Sequence, residues 1–396
     1  MFSKIKTNQN IYPWLRDRIT PIYSTFFLLI FRIFPIKNKK VFIVSYFGKG
    51  YGDNGKYIAD ALLSKCNNIK IYWGCKKDFK SSIPNTINYV KYFSPKYFYH
   101  LATAKIWINN SRFTLGTKKR KKQFYIQTWH GGTAFKKVEK DVESQLPKSY
   151  IEGAKHDAKM TDLMTSDSKW LSNLYRNSFW YKKGEILEIG LPRNDILIQK
   201  EKPQAILEKV KKYYHIKKSE KIFLYAPTFR KDEKLHYYNL NFSAIKETLE
   251  IKTGEKWKLL IRLHPNISRQ SEKLGFYNSE ILNATSSPDM QELIIASGMM
   301  MTDYSSCLFD FALLNKPGLL YAPDYENYTK DRGFYFNYFK LPFPIAETEG
   351  ELIRNIEKFD LKKYRKNLLA FLRRIEINET GKSSEAVAKI IMEKTK

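Results

Sequence analysis

The sequence predicts an α/β protein made of two domains, each organised around a parallel β-sheet. Short runs of β-branched and aromatic residues alternate with segments of helical periodicity, which is the pattern of successive βαβ units. The chain is 396 residues long, which suits about two or three domains with separate cores. Two halves of similar size meet near residue 195, so we expect two sheets that face each other across a cleft.

The first half contains strand and helix signals in regular alternation. Short apolar runs predict strands at 41–45, 69–73, 87–90, 106–108, 124–126, 162–166 and 186–189. Apolar residues at helical spacing predict helices at 56–64, 95–102, 149–159 and from a Ser168 cap to about residue 176. We expect the first domain to comprise residues 39–195, because a stretch containing Gly and Pro ends there.

A glycine-rich loop, residues 47–55, lies between the first strand and the first helix of this domain. A strand, a Gly-rich loop and a helix together open a Rossmann-type unit. Residues 50–55 match the dinucleotide spacing G-x-G-x-x-G, but no acidic residue follows at a strand end about 20 residues later. This argues against a dehydrogenase and favours a loop whose backbone leaves room for an acceptor or a phosphate.

The second half repeats the same alternation. Apolar runs predict strands at 221–226, 257–263, 299–301 and 317–321, and helical spacing predicts helices at 203–214, 242–251, 288–297 and 307–314. A highly charged helical tail begins at residue 349. We therefore expect residues 196–396 to form a second Rossmann-type domain that includes this tail.

Residues 1–38 form a basic, aromatic leader before the first strand. Its most apolar run, residues 22–31, is flanked on both sides by Lys and Arg, and no apolar run in the chain approaches about 18 residues. We therefore expect no membrane-spanning helix. Two interpretations of the leader stay open: an amphipathic segment lying among lipid headgroups, and an ordinary helix facing the core of the first domain.

The net charge is strongly positive. Lys and Arg number 69 against 40 acidic residues, giving +29 at pH 7, and a field of this size attracts nucleic acid, anionic lipid or phosphorylated substrates. A solvated basic surface explains part of the excess. The three cysteines have neither metal-ligand spacing nor a disulfide pattern, which indicates a reducing compartment, and no motif implies a divalent metal or a cofactor.

Five polar or glycine-rich stretches follow predicted strands directly. Because the carboxyl ends of parallel strands meet at one edge of a sheet, we expect these stretches to converge on the cleft. They are residues 47–55, His130, residues 227–230, residues 262–264 and residues 303–306.

His130 is the most prominent of these residues because Gly131 and Gly132 clear space beside it. A histidine at a strand end is suited to proton transfer near neutral pH. The alternative is a structural histidine in a turn, and for one histidine taken alone that alternative is the stronger.

Residues Thr302-Asp-Tyr-Ser-Ser306 open a predicted helix, whose free backbone N–H groups and dipole favour an anion. Capping of the helix by Asp303 or Ser305 is the plain structural explanation, and it is compatible with a phosphate cradle. Arg230, Arg262 and His264 would supply cations or hydrogen-bond donors nearby.

Taken in order, five motifs resemble those of the CDP-glycerol glycerophosphotransferase family of wall teichoic acid and capsule enzymes. The resemblance covers roughly residues 40–345. It implies a GT-B-like fold, CDP-glycerol bound mainly by the second domain, and a peripheral enzyme at the cytoplasmic face of the bacterial membrane with a lipid-linked polyprenyl-diphosphate or glycan acceptor. The motifs are Trp129-His-Gly-Gly-Thr133 with Phe135-Lys136 nearby, Gly190-Leu-Pro-Arg-Asn-Asp195, Ala226-Pro-Thr-Phe-Arg230, Arg262-Leu-His-Pro265, and Thr302-Asp-Tyr-Ser-Ser306 followed by Phe309-Asp310.

The resemblance assigns roles to particular residues. It places the catalytic histidines at His130 and His264, of which we expect His130 to be the general base. The family motif usually has one glycine before its threonine, whereas two stand here, so the role of Thr133 stays open. We further expect donor or phosphate contacts from Arg230, Arg262, Asp303, Ser305 and Ser306, and an acceptor or loop role for Gly131, Gly132, Thr133 and Arg193.

Two other functions compete with glycerol phosphate transfer. A GT-B glycosyltransferase that uses a nucleotide sugar would have the same fold. A nucleic-acid-binding protein would fit the charge and the 15% aromatic content, but the sequence has no RNP, zinc or basic-helix signature, so we expect no nucleic-acid partner.

Overall fold

The structure, a computed structural model, describes residues 11–199, 203–230, 235–264, 274–287 and 289–396. It contains two parallel sheets with helices packed on their faces, in a GT-B-like arrangement, which confirms the predicted fold class. The central strands of each sheet are buried on both faces, which explains why their sequences are continuous apolar runs rather than alternating ones.

The first sheet has seven strands in the order β3-β2-β1-β4-β5-β6-β7, all parallel. Every strand predicted in this half is present, with ends that shift by a few residues. The strands are β1 (Lys37–Val44), β2 (Lys70–Cys75), β3 (Asn88–Lys91), β4 (Ala104–Asn109), β5 (Phe124–Gln127), β6 (Leu163–Ser166) and β7 (Glu185–Glu188). The helices are α1 (Ile11–Phe31), α2 (Asp53–Lys65), α3 (Pro95–Thr103), α4 (Lys148–Met160) and α5 (Lys169–Ser178).

The second sheet has six strands in the order β10-β9-β8-β11-β12-β13, also parallel. Two of them, β10 and β13, form the edges and were not predicted, because runs of three and two residues are too short to show a period. The strands are β8 (Lys221–Tyr225), β9 (Trp257–Ile261), β10 (Ile281–Asn283), β11 (Met299–Thr302), β12 (Gly318–Tyr321) and β13 (Ile345–Ala346).

Nine further helices complete the described part of the chain. The predicted helix at 288–297 begins at Met290; Pro288 lies outside the described residues. The helices are α6 (Asp195–Ile198), α7 (Pro203–Tyr213), α8 (Phe242–Thr253), α9 (Met290–Ala296), α10 (Cys307–Ala312), α11 (Tyr325–Arg332), α12 (Glu349–Glu357), α13 (Leu361–Arg374) and α14 (Ser383–Lys394).

The final helix, α14, packs against the first domain. We expected the whole tail to belong to the second domain, but Val387, Ala388 and Ile391 are fully buried in the core of the first sheet. These three positions form an apolar stripe on α14 that contacts α2. The chain therefore returns to the first domain before α14.

The leader contributes the helix α1, which packs on α3 through Tyr23, Phe27 and Leu28. The packing matches the interpretation of a helix facing the first core. Residues 1–10 of the leader lie outside the described residues. Among the helices that the structure describes, none is long and apolar enough to cross a bilayer.

Candidate active site between the two sheets

Two segments with predicted chemistry meet between the sheets. The histidine loop, residues 128–134, follows β5 of the first domain, and the serine turn, residues 303–306, lies between β11 and α10 of the second. A Cβ atom added to Gly131 would lie 3.3 Å from Ser306 Oγ, so the loop and the turn are in close contact. The carboxyl ends of β5 and β11, where the sequence predicted functional residues, therefore lie close together across the domain boundary.

His130 is held in one tautomer by the backbone. Its Nδ1 lies 2.6 Å from the carbonyl oxygen of Asn110, and because a carbonyl can only accept, Nδ1 carries the proton. In the neutral ring this leaves Nε2 unprotonated and able to accept a proton. Asn110 is itself fixed, since the backbone N–H of Tyr46 donates to its Oδ1 at 2.8 Å. The orienting group is thus a backbone carbonyl at the end of β4.

The surroundings of His130 favour its neutral form. The ring is open to solvent on one side and packs on Trp129, with the ring centres 4.2 Å apart. Loss of solvation lowers the pKa of His130 below its ordinary value, although the Asn110 carbonyl and the carboxylate of Asp53 act in the opposite direction. An imidazole with a lowered pKa is neutral at pH 7 and is suited to act as a base.

The histidine loop is anchored on both sides of His130. Trp129 has a left-handed backbone, with φ 53°, and its N–H donates to Gln127 Oε1 at 2.8 Å. Its carbonyl accepts from Asn54 Nδ2 at 3.1 Å, and the guanidinium of Arg112 lies 5.3 Å from its ring centre. A non-glycine residue in this region of φ costs about 1–3 kcal/mol, and it persists here because these contacts hold it.

The second glycine of the loop is required by packing. A Cβ atom on Gly132 would lie 2.1 Å from Asp167 Oδ2, where no side chain could fit. The same carboxylate accepts from the N–H of Thr133 at 3.0 Å. Thr133 is fully buried, so of the two roles left open for it, acceptor contact or loop structure, its burial favours the loop role.

The serine turn presents Ser305 and Ser306 at the start of α10. Both side chains are half-buried, and Ser305 Oγ accepts weakly from the Cys307 N–H at 3.4 Å. The neighbouring Cys307 is not a candidate nucleophile, because burial raises the pKa of its thiol to about 12. Of the two serine hydroxyls, that of Ser306 lies against Gly131 of the histidine loop.

His264 and Arg262 follow β9 and add polar groups to the cleft. The imidazole of His264 is exposed, and its ring centre lies 5.9 Å from that of Phe229. Loss of solvation, together with the positive charges of Lys136 and Lys49, lowers the pKa of His264 to about 4. Arg262 is half-buried and donates from Nη2 to the Ser287 carbonyl at 3.1 Å.

Arg230 and Asp303 are engaged with each other rather than facing the cleft. Arg230 is 6% exposed, donates from Nη1 to Asp303 Oδ2 at 2.8 Å, and donates from Nε and Nη2 to the two carboxylate oxygens of Asp324. Asp303 also accepts from the N–H of Thr228. Because all three guanidinium nitrogens are occupied, the expected direct phosphate contact of Arg230 and Asp303 is corrected to a structural role beneath the serine turn.

Arg193 is buried between the two domains and forms ion pairs with both. It is 4% exposed and pairs with Asp53 of the first domain at 3.1 Å and with Asp310 of the second at 3.0 Å. Its backbone N–H donates to Asn54 Oδ1 at 3.0 Å, and Asn54 also holds the Trp129 carbonyl. The acceptor role expected for Arg193 is therefore corrected, since its side chain is buried between the sheets and stabilises their arrangement.

The sequence analysis did not identify the residues that orient His130. Asn110 contributes through its backbone, which no motif reveals, although the polar pair Asn109–Asn110 at the carboxyl end of β4 could have indicated the position. Asn54 lies in the glycine-rich loop that we interpreted as a ligand loop. Within the described ranges, no group of three or more His, Cys, Asp or Glu side chains is placed to hold a metal ion.

Comparison with known proteins connects this geometry to a family. The family model described as CDP-Glycerol:Poly(glycerophosphate) glycerophosphotransferase matches residues 25–393. A teichoic acid poly(glycerol phosphate) polymerase from Bacillus spizizenii is 33% identical over 95% of this chain and 98% of its own length. A teichoic acid ribitol-phosphate primase from the same species is 28% identical over 93% of this chain and 95% of its own.

Other relatives are longer than this chain. A teichoic acid poly(glycerol phosphate) polymerase from Staphylococcus epidermidis is 30% identical over 90% of the chain, which spans only 51% of that polymerase. Among solved structures, the wall teichoic acid polymerase TagF, in a variant soaked with CDPG, superposes with a TM-score of 0.84 at 27% identity, covering 96% of this chain and 97% of that one. The chain belongs to the CDP-glycerol glycerophosphotransferase family.

Proposed function

We propose that this family member transfers glycerol phosphate, or a related polyol phosphate, from a CDP-linked donor to a hydroxyl group of a lipid-linked or glycan acceptor in teichoic acid or capsule synthesis. The observation that carries the proposal is the contact between the histidine loop and the serine turn. It brings the loop that carries a neutral imidazole with an unprotonated Nε2 against the turn that carries two hydroxyls suited to bind a phosphate.

The chemical step begins with His130. Its Nε2 accepts the proton of the acceptor hydroxyl as the oxygen attacks the β-phosphorus of CDP-glycerol. A new bond forms between that oxygen and the β-phosphorus, and the bond from the β-phosphorus to the oxygen bridging the two phosphates breaks. CMP leaves with the bonding electrons, and the imidazolium returns its proton to solvent.

The second domain stabilises the charge that develops on the phosphoryl oxygens. Ser305 and Ser306 donate from their hydroxyls, and Arg262 adds a positive charge near the same edge of the sheet. His264 acts as a neutral donor in this scheme, because its lowered pKa leaves it uncharged at pH 7. No step in the scheme requires a metal ion.

A donor screen tests the reaction class. The purified chain is incubated with CDP-glycerol, CDP-ribitol and several UDP-sugars in the presence of membranes from a teichoic-acid-producing bacterium, and released nucleotides are separated by chromatography. We expect CMP from CDP-glycerol at a rate at least tenfold above that from any UDP-sugar. UDP release without CMP release would overturn the proposal in favour of a glycosyltransferase.

The same screen identifies which polyol phosphate the enzyme transfers. Relatives of this chain include both glycerol-phosphate and ribitol-phosphate enzymes, and the glycerol-phosphate polymerase from Bacillus spizizenii is the more similar of the two described above. We expect CDP-glycerol to be the preferred donor for this reason. A higher kcat/KM for CDP-ribitol would reassign the donor while leaving the reaction class intact.

Helix α1 supports a peripheral membrane location. One of its faces packs on α3, while a second apolar face at helical spacing is exposed to solvent. Contiguous exposed apolar surface of this kind marks an interaction site. This exposed face consists of Ile19 (51% exposed), Ile22 (69%), Phe26 (56%), Leu29 (58%) and Ile30 (41%).

Basic residues lie next to the exposed face of α1. Arg32 donates to the Lys118 carbonyl at 2.9 Å, and Arg120 donates to the Phe34 carbonyl at 2.8 Å, which brings the basic segment 118–122 against the end of the helix. An apolar face with a cationic rim is the pattern of a helix lying among anionic headgroups. We therefore propose that α1 rests on the cytoplasmic leaflet, close to a lipid-linked acceptor.

A vesicle experiment tests this location. We expect Ile22→Asp with Leu29→Asp to reduce co-sedimentation with phosphatidylglycerol-containing vesicles at least fivefold. The control is Tyr213→Asp with Ile251→Asp, which changes the net charge equally at two exposed positions in the second domain (67% and 79% exposed). Equal binding by the two double variants would contradict membrane docking through α1.

A further inference from the structure

The segment that follows His130 leaves the first domain and enters the second. Phe135, five residues after the histidine, is only 2% exposed and lies in the hydrophobic core of the second domain. Its ring centre is 4.3 Å from that of Phe309 and 6.1 Å from that of Tyr338. An aromatic side chain contributed by one domain thus forms part of the core of the other.

Backbone hydrogen bonds reinforce this insertion. Residues 135–138, which we call the strap, pair with the second domain through an antiparallel bridge between Lys136 and Phe334. The N–H of Tyr335 donates to the Phe135 carbonyl at 2.8 Å, and the N–H of Lys137 donates to the Gly333 carbonyl at 3.1 Å. The strap is therefore fixed by both backbone and side-chain contacts.

The contact of Phe135 lies close to the donor side of the site. Phe309 is on α10, the helix that begins directly after Ser305 and Ser306, and its N–H donates to the Ser306 carbonyl at 3.0 Å. The first-domain end of the same segment is held by the bond from the Thr133 N–H to Asp167. One continuous stretch of chain therefore connects the candidate base to the helix that carries the phosphate-binding hydroxyls.

We propose that Phe135 is a positioning residue that sets the distance between His130 and the serine turn through its packing on Phe309. This inference rests on the proposed transfer reaction, in which both groups act on one phosphoryl centre. A displacement of about 1 Å in such a site can reduce a rate about 10²-fold, so a change in this packing affects the chemical step strongly. Donor binding should change little, because Phe343 and Phe371 of the second domain also pack on Phe309 and hold α10 when the Phe135 ring is removed.

A matched pair of variants in the full chain tests the proposal. Phe135→Leu removes the aromatic contact with Phe309. The control is Phe242→Leu, a phenylalanine of equal 2% exposure in the second domain that belongs to a different core cluster. We expect the two variants to lower the melting temperature by similar amounts.

The kinetic constants separate positioning from general stability. We expect Phe135→Leu to lower kcat for CMP release from CDP-glycerol at least tenfold, with the dissociation constant for CDP-glycerol within twofold of wild type. Phe242→Leu should keep kcat within twofold. Phe135→Met should recover part of the loss, because its thioether can make a favourable contact with the Phe309 ring that leucine cannot make. If Phe135→Leu does not fold, the partial loss of kcat in Phe135→Met at unchanged donor affinity carries the test.

The outcomes distinguish this inference from the proposed reaction. An active wild type in which Phe135→Leu and Phe242→Leu have equal kcat would overturn the positioning role while leaving the reaction in place. Equal loss of donor affinity and of kcat in Phe135→Leu would also overturn it, because that pattern indicates general damage to the second domain. A wild type with no turnover of CDP-glycerol would overturn the proposed reaction itself.

Discussion

The two domains each contribute one histidine to the cleft, and the two histidines are held very differently. His130 of the first domain has a bond from Nδ1 to a backbone carbonyl and a tryptophan ring against its face. His264 of the second domain is exposed beside Phe229, and the positive charges of Lys136 and Lys49 act on it. The first has a fixed tautomer, while the second is in a cationic environment that suits a phosphate.

This difference indicates which histidine can act as the base. A base needs an unprotonated nitrogen in a defined direction, and the bond from His130 Nδ1 to the Asn110 carbonyl defines that direction for Nε2. The cationic surroundings of His264 instead stabilise negative charge on a bound ligand. We therefore propose that the first domain carries out proton transfer and that the second binds the donor.

The largest effect should come from exchanging each histidine for alanine. We expect His130→Ala to lower kcat for CMP release by about 10²–10⁴-fold, as for loss of a general base, with little change in donor affinity. We expect His264→Ala to weaken CDP-glycerol binding as well as kcat. The measurements are steady-state kinetics and titration calorimetry with CDP-glycerol.

The opposite kinetic pattern would contradict the roles proposed for the two histidines. If His264→Ala kept donor affinity and lost only kcat, while His130→Ala lost affinity, the two roles would have to be exchanged. Added imidazole sharpens the test, because it can replace a missing base but cannot replace a group that binds the donor. Partial recovery by imidazole is expected for His130→Ala alone.

The fold could be predicted from sequence because its signals are local. Strands buried on both faces, such as Met299–Thr302, appear as short apolar runs, and glycine or polar residues mark their ends. The convergence of His130 and the serine turn followed from the rule that the carboxyl ends of parallel strands share an edge. These inferences needed no knowledge of contacts between distant residues.

The features that the sequence did not predict depend on distant contacts. Arg230 was interpreted as a free cation because Asp324, which binds it, stands 94 positions later in the chain. In the sequence, Phe135 looks like any other core phenylalanine, so its insertion into the other domain could not be predicted. The last helix was assigned to the second domain because an apolar stripe does not reveal which core it fills.

The pH dependence of kcat/KM for CDP-glycerol, in the wild type and in His264→Ala, tests the assignment of the base most directly. The pKa of His130 is lowered, so its neutral form should persist below pH 6.5 and activity should fall only at more acidic pH. The pKa of His264 is about 4, so its removal should leave that acidic limb in place. Activity that rises as the pH falls through 6.5, or an acidic limb that disappears in His264→Ala, would contradict the assignment of His130 as the base.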